Sequence, residues 1–68
     1  MKKITLAAAR INAGLTQKEA AERLNVTPKT LGKWERAETF PDARHIDAIC
    51  NLYAVSYEQI IFLPQETA

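Results

Sequence analysis

Residues 16–36, TQKEAAERLNVTPKTLGKWER, contain two helix starts separated by a very short joint. Thr16 and Glu19 have the spacing of a capping box, in which each side chain satisfies the other residue's free backbone N–H. From Gln17 to about Leu24, Ala20, Ala21 and Leu24 fall on one helical face. Asn25 tolerates the left-handed backbone that ends such a helix. Thr27 then caps a third helix over 28–36, with Pro28 at the first helical position, where a missing N–H costs nothing. Leu31, Trp34 and Glu35 lie on one side of it; Lys29, Gly32, Lys33 and Arg36 lie on the other. Asn25, Val26 and Thr27 alone join the two helices, and a joint this short sets them at a steep angle, in helix-turn-helix geometry.

Helix signals recur along the rest of the chain. Thr5 can cap a first helix over LAAARINA, and Gly14 can end it in a left-handed turn. Phe40-Pro41 interrupts the chain, and Asp42 caps a fourth helix whose apolar positions 46, 49, 50 and 53 keep helical spacing. Ser56 to Gln59 repeats the capping-box pattern and opens a short fifth helix through Ile60, Ile61 and Phe62. No run alternates with the period of two that marks a strand. The expectation is an all-α, compact five-helix domain spanning 1–68, with its helix-turn-helix at about 17–36 and a polar tail at 64–68.

At 68 residues such a domain buries only about 60% of the surface its unfolded chain exposes. A single cysteine, Cys50, excludes an internal disulfide, and with one histidine, His45, neither a Cys-cluster nor a His-rich metal site is expected. MKKITLAAAR begins like a secretory signal, but Arg10 cuts its apolar run too short. No segment has the length of a membrane span, so the expected location is the cytoplasm. Net charge is only +1, yet eight of the nine Lys and Arg residues lie within 1–36 and five of the eight acidic residues follow. This division suggests a directed basic face.

In a helix-turn-helix the second helix of the motif enters the major groove and the first crosses the phosphate backbone. Lys29 and Lys33 can donate to guanine O6 and N7, and Thr30 can reach a base or phosphate. Gln17 stands at a helix N-terminus, where an anion is favoured. Lys3, Lys18, Thr27, Arg36 and Arg44 are further candidates for phosphate contact. The partner expected from these residues is double-stranded DNA.

LTQKEAAERLNVTPKTLGKWER, residues 15–36, resembles the Cro/repressor-type helix-turn-helix family, also called the xenobiotic-response-element type. Leu-Thr-Gln, the helix-2 alanine, Val-Thr and Trp-Glu-Arg carry the likeness, which continues through Pro41 to VSYEQII, 55–61. The resemblance implies a lambda-repressor-like DNA-binding domain that acts as a homodimer on an inverted-repeat operator. It implies a phosphate-binding role for Gln17, base-facing positions at Pro28, Lys29, Gly32 and Lys33, and an internal ion pair between Arg10 and Glu35. Many members carry glycine where this chain has Asn25 and Ala37; a left-handed alanine costs on the order of 1 kcal/mol. Pro28 and Gly32 offer no side-chain hydrogen bond, which leaves discrimination to Lys29 and Lys33. Gly32, on this view, lets the helix backbone approach the bases.

Other residues have simpler expected roles. Trp34 packs the helices, Cys50 is a small buried hydrophobe, His45 is exposed near the start of helix 4, and Tyr53 caps the core with its hydroxyl at the surface. Tyr57, Ile60, Ile61 and Phe62 are unusually apolar for so short an element and are expected to share two roles, closing the core and, for some of them, providing a dimer contact. A lone His and Cys five residues apart point to different helical faces, so no enzyme is expected; nor is any cofactor or small-molecule ligand. The alternative function is a protein-interaction module that keeps the fold: an antirepressor, an adaptor or a toxin-neutralising partner.

Overall fold

The computed structural model describes residues 3–62. A two-residue strand, β1 (Ile4–Thr5), leads into α1 (Leu6–Asn12); α2 (Gln17–Leu24), α3 (Pro28–Glu35) and α4 (Ala43–Tyr53) follow. A single 3-10 turn, Tyr57–Gln59, then delivers the chain to β2 (Ile60–Ile61). The helix starts follow local chemistry. Thr5, Thr16, Thr27 and Asp42 each accept a hydrogen bond from the backbone N–H three residues on, at 2.9–3.1 Å. The Thr16–Glu19 box is complete, with Glu19 Oε1 accepting from the Thr16 N–H at 2.9 Å.

All four α-helices end in the same way. Gly14, Asn25, Ala37 and Ala54 adopt left-handed backbone, with φ of 78°, 61°, 60° and 56°. The next residue in each case donates its N–H five residues back: Leu15 to Arg10, Val26 to Ala21, Glu38 to Lys33, and Val55 to Cys50. This is the Schellman stop, which satisfies a carbonyl the helix would otherwise leave open. Only one of the four stops uses glycine.

The five-helix, all-α expectation needs correction. The SYEQ segment forms its capping box, with the Ser56 N–H donating to Gln59 Oε1 at 2.9 Å, but sustains only one 3-10 turn. Ile60 then adopts extended backbone, φ −99° and ψ 134°. Ile60 and Ile61 pair in parallel with Ile4 and Thr5, respectively. Two β-branched residues beside a waiting partner favour the ladder over another helical turn, and elements of two residues are too short to show alternation. The polar tail at 64–68 lies outside the described residues, and no helix among those described is long and apolar enough to cross a membrane.

The core draws on the four helices and β2. Leu6 and Ala9 of α1, Ala20, Ala21 and Leu24 of α2, and Leu31 and Trp34 of α3 meet Ile49 and Tyr53 of α4 and Ile60 of β2. Ala20, Ala21, Leu31 and Ile49 are fully excluded from solvent. The small alanines let α2 approach its neighbours closely, while Val26 in the joint packs against the same cluster. Tyr53 departs from expectation: it is only 4% exposed, and its hydroxyl is buried without a hydrogen-bond partner.

Candidate nucleic-acid interface

The basic face is built on α3 and held from behind by a polar network. Arg10 of α1 donates from Nε to Glu35 Oε2 at 2.7 Å and from Nη1 to the Leu15 carbonyl at 2.9 Å. A longer contact at 3.4 Å joins Nη2 to Glu35 Oε1. That same Oε1 accepts the Gln17 amide at 2.9 Å. The Arg10 and Glu35 side chains are 13% and 7% exposed. Glu35 therefore receives donors from both α1 and α2, and the orientation of α3 against them is fixed by charge as well as by packing.

On the outer side, Pro28 and Lys29 are exposed and Lys33 is half-buried. Neither lysine takes part in an ion pair among the described residues. The Thr27 and Thr30 hydroxyls lie 2.9 Å apart at the start of α3, with Thr27 also capping it. Lys3, Lys18 and Arg44 are exposed. Gln17 is half-buried and one of its amide N–H groups is committed to Glu35, so it offers an outside group fewer donors than a free glutamine.

Gly32 is not the open position that the sequence suggests. It is buried, and a methyl group placed there would meet Arg36 Nη1 at 3.2 Å and Gln17 Nε2 at 3.8 Å. The Arg36 guanidinium lies across the glycine, one helical turn back along α3. Its Nε donates to the Glu38 carboxylate, and both side chains are more than half exposed. The hydrogen bond and charge of Arg36 hold the Glu38 carboxyl below its usual range. Sequence reasoning missed Glu38 because i and i+2 residues do not face each other on a helix. The left-handed Ala37 turns the chain back and brings them together.

Around this face, Trp34 packs in the core, 6% exposed, with its ring centroid 5.3 Å from that of His45. His45 is half-buried rather than exposed, and its Nδ1 lies 2.8 Å from Asp42 Oδ1. The Asp42 carboxyl is held low, first by the His45 backbone N–H and then by the ring. Cys50 is half-buried against the core, and burial together with the nearby Asp47 pushes its thiol up, away from the reactive thiolate form. Among the described residues no cluster of His, Cys, Asp and Glu could hold a metal ion.

A second, apolar surface gathers elsewhere. Phe40 and Tyr57 are 55% and 60% exposed, and the Tyr57 and Phe62 rings stack at 5.6 Å. With Pro41 and Ile46 they line a groove. Of the four residues expected at a dimer contact, Tyr57, Ile61 and Phe62 reach the surface, whereas Ile60 is 6% exposed and belongs to the core. Pairing with β1 carries the Ile60 side chain into the core, one of the two roles expected of this segment.

The capped helix pair, the three-residue joint and the buried polar network behind α3 define a helix-turn-helix domain. The helix-turn-helix family pattern matches residues 6–60, and the chain belongs to that family, in its Cro/C1-type branch. It is 43% identical over 53 residues to the HTH-type transcriptional regulator ImmR of Bacillus subtilis (strain 168), a match covering 78% of this chain. The same match covers 42% of ImmR, so the chain corresponds to less than half of that relative. No solved structure gives a significant match.

Proposed function

We propose that this chain is a sequence-specific DNA-binding transcriptional regulator, a repressor that binds an inverted-repeat operator as a homodimer. The observation that carries this reading is the two-sided construction of α3. Leu31 and Trp34 anchor it in the core, Glu35 ties it to α1 and α2, and Lys29 and Lys33 lie on its outer side and form no ion pair among the described residues. A helix held this way can enter the major groove without reorganising, which spares the ordering cost of binding. Lys29 and Lys33 then donate to base edges, with Pro28 and Gly32 beside them. Lys3, Lys18, Thr27, Thr30, Arg44 and the free part of the Gln17 amide serve the phosphates. Membership of the helix-turn-helix family, with the transcriptional regulator ImmR as a relative, supports the same reading.

Exposed Tyr57, with half-buried Ile61 and Phe62 beside it, supplies the surface for dimer formation. Two recognition helices one helical turn apart, roughly 34 Å, would then match a pseudo-palindromic site. The reading includes no catalytic role: His45 is engaged by Asp42, and Cys50 packs on the core. The deciding experiment is selection of bound sequences from random duplex DNA by the wild-type chain and by the Lys29→Ala/Lys33→Ala double variant. The expected result is an inverted repeat that the double variant fails to enrich. An unchanged motif with both lysines removed would overturn the placement of α3 in the groove.

A second reading is favoured by the groove of Phe40, Pro41, Ile46, Tyr57 and Phe62. It is that the domain acts chiefly by binding another protein. Failure of the wild-type chain to enrich any DNA sequence would move the weight to it.

A further inference from the structure

Two of the four positions expected to face the bases, Pro28 and Gly32, carry no side-chain donor, yet the space over one of them is filled. Arg36 Nη1 lies 3.2 Å from where a Gly32 Cβ would stand, and Cζ lies at 3.9 Å. Positions 29, 32, 33 and 36 share one face of a helix by their spacing, so a guanidinium folded back over position 32 remains on the outer face. The glycine allows this placement, since a Cβ there would stand 3.2 Å from Nη1 and push the guanidinium outward by a few tenths of an ångström.

The contact with Glu38 determines which edge of the guanidinium is free. Glu38 accepts from Nε, and the four N–H donors of Nη1 and Nη2 have no hydrogen-bond partner among the described residues. Two parallel N–H groups on a planar fork match guanine O6 and N7, the commonest specific contact in the major groove. A carboxylate bound at Nε fixes the fork in the plane it needs and lowers the entropy lost on docking. The Gln17 amide nitrogen, 3.8 Å from the same imaginary Cβ, stands beside it as a neighbouring polar group.

Resting on the DNA-binding reading above, we propose that Arg36 is a specificity-determining residue: it lies in the space left by Gly32, is positioned by Glu38, and reads one guanine per half-site through its Nη edge. This gives Arg36 a role different from the general phosphate attraction that its charge alone suggests, and it makes Glu38 a positioning residue.

The test is selection from random duplex DNA, followed by affinity measurement across a salt series, for the wild-type chain and the Arg36→Lys, Gly32→Ala and Glu38→Ala variants. Thermal melting of each free protein establishes that it is folded. Arg36→Lys keeps the charge but lacks the fork, so preference for guanine at one half-site position should fall roughly tenfold or more, with an unchanged salt slope. Gly32→Ala should weaken preference at that same position. Glu38→Ala removes a negative charge near DNA, so a mere competitor would leave the guanine preference intact and raise affinity for every sequence; a positioning residue lowers the preference itself. The proposal is overturned if Arg36→Lys retains the wild-type motif, or if Glu38→Ala only raises affinity uniformly. It is also overturned if the wild-type motif has no guanine dependent on Arg36. A wild-type chain that enriches no sequence would instead defeat the DNA-binding reading, and this proposal with it.

Discussion

Glu35 Oε1 accepts the Gln17 amide at 2.9 Å, so the first residue of α2 is hydrogen-bonded to the last residue of α3. The same carboxylate holds Arg10 of α1 at 2.7 Å through its other oxygen. One side chain thus connects the three helices that set the angle of the outer face. Removing Arg10 would leave Glu35 a nearly buried charge with a single neutral donor.

Arg10→Met should therefore destabilise the domain by about 3 kcal/mol or more, the usual result of breaking one partner from a buried pair. In a domain of this size that corresponds to a fall in melting temperature of more than roughly 10 °C, measured by far-ultraviolet circular dichroism. A variant that melts with the wild type would show that packing alone orients the helices.

Ala37→Gly and Ala54→Gly should each stabilise the fold. Both alanines hold left-handed backbone, at φ 60° and 56°, where an L side chain costs roughly 1–2 kcal/mol. The greater freedom of glycine in the unfolded chain offsets part of that gain, leaving about 0.5 kcal/mol or more per site in denaturant titrations. Asn25→Gly, at φ 61°, should change stability less, because asparagine tolerates this region.

Tyr53→Phe should leave stability unchanged or raise it, since the hydroxyl it removes is buried without a partner. Burial, reinforced by the negative charge of Glu35 and opposed by Arg10, pushes the Tyr53 hydroxyl up to about 12 from an ordinary value of 10.0. Between those values the unfolded chain loses the proton while the folded one keeps it, so stability should be intact below pH 10 and fall as pH rises towards 12. The Phe variant should lack this part of the alkaline loss in denaturation profiles recorded across that range.

Lys18→Gln and Lys33→Gln should weaken operator binding in different ways. On the DNA-binding reading, loss of exposed Lys18 from a phosphate should lower affinity for all sequences and reduce the slope of log K against log salt by roughly 0.9. Loss of Lys33, on the same reading a base contact, should relax the selected motif at one position. Identical behaviour of the two variants would argue that α3 does not read bases.

Much of the fold was legible because its punctuation is local. Thr5, Thr16, Thr27 and Asp42 could be named as caps from a few residues of context, and Asn25 could be named as a left-handed stop by its amide chemistry. Ala37 could be suspected only from the family pattern, and Ala54 was not foreseen, because alanine carries no signal for positive φ. The β1–β2 pair was missed because it joins opposite ends of the described chain through two-residue strands. At the candidate site, the Arg10–Glu35 pairing came from resemblance to relatives. The cover over Gly32 was missed because a four-residue reach by Arg36, steered by Glu38, depends on where the chain turns after α3. Tyr53 was misplaced because helical spacing gives the direction of a side chain but not the depth of its tip.

The parallel pairing of Ile4 with Ile60 also bears on the order of assembly. The four capped helices can form from contacts close in sequence, whereas this ladder must close a loop of nearly the whole described chain, a cost that grows only slowly with length but yields little until the helices are docked. It is therefore expected to form late. Ile60, inserted into the core from that ladder, acts as a latch whose amide protection in hydrogen exchange reports whether the entire domain is shut.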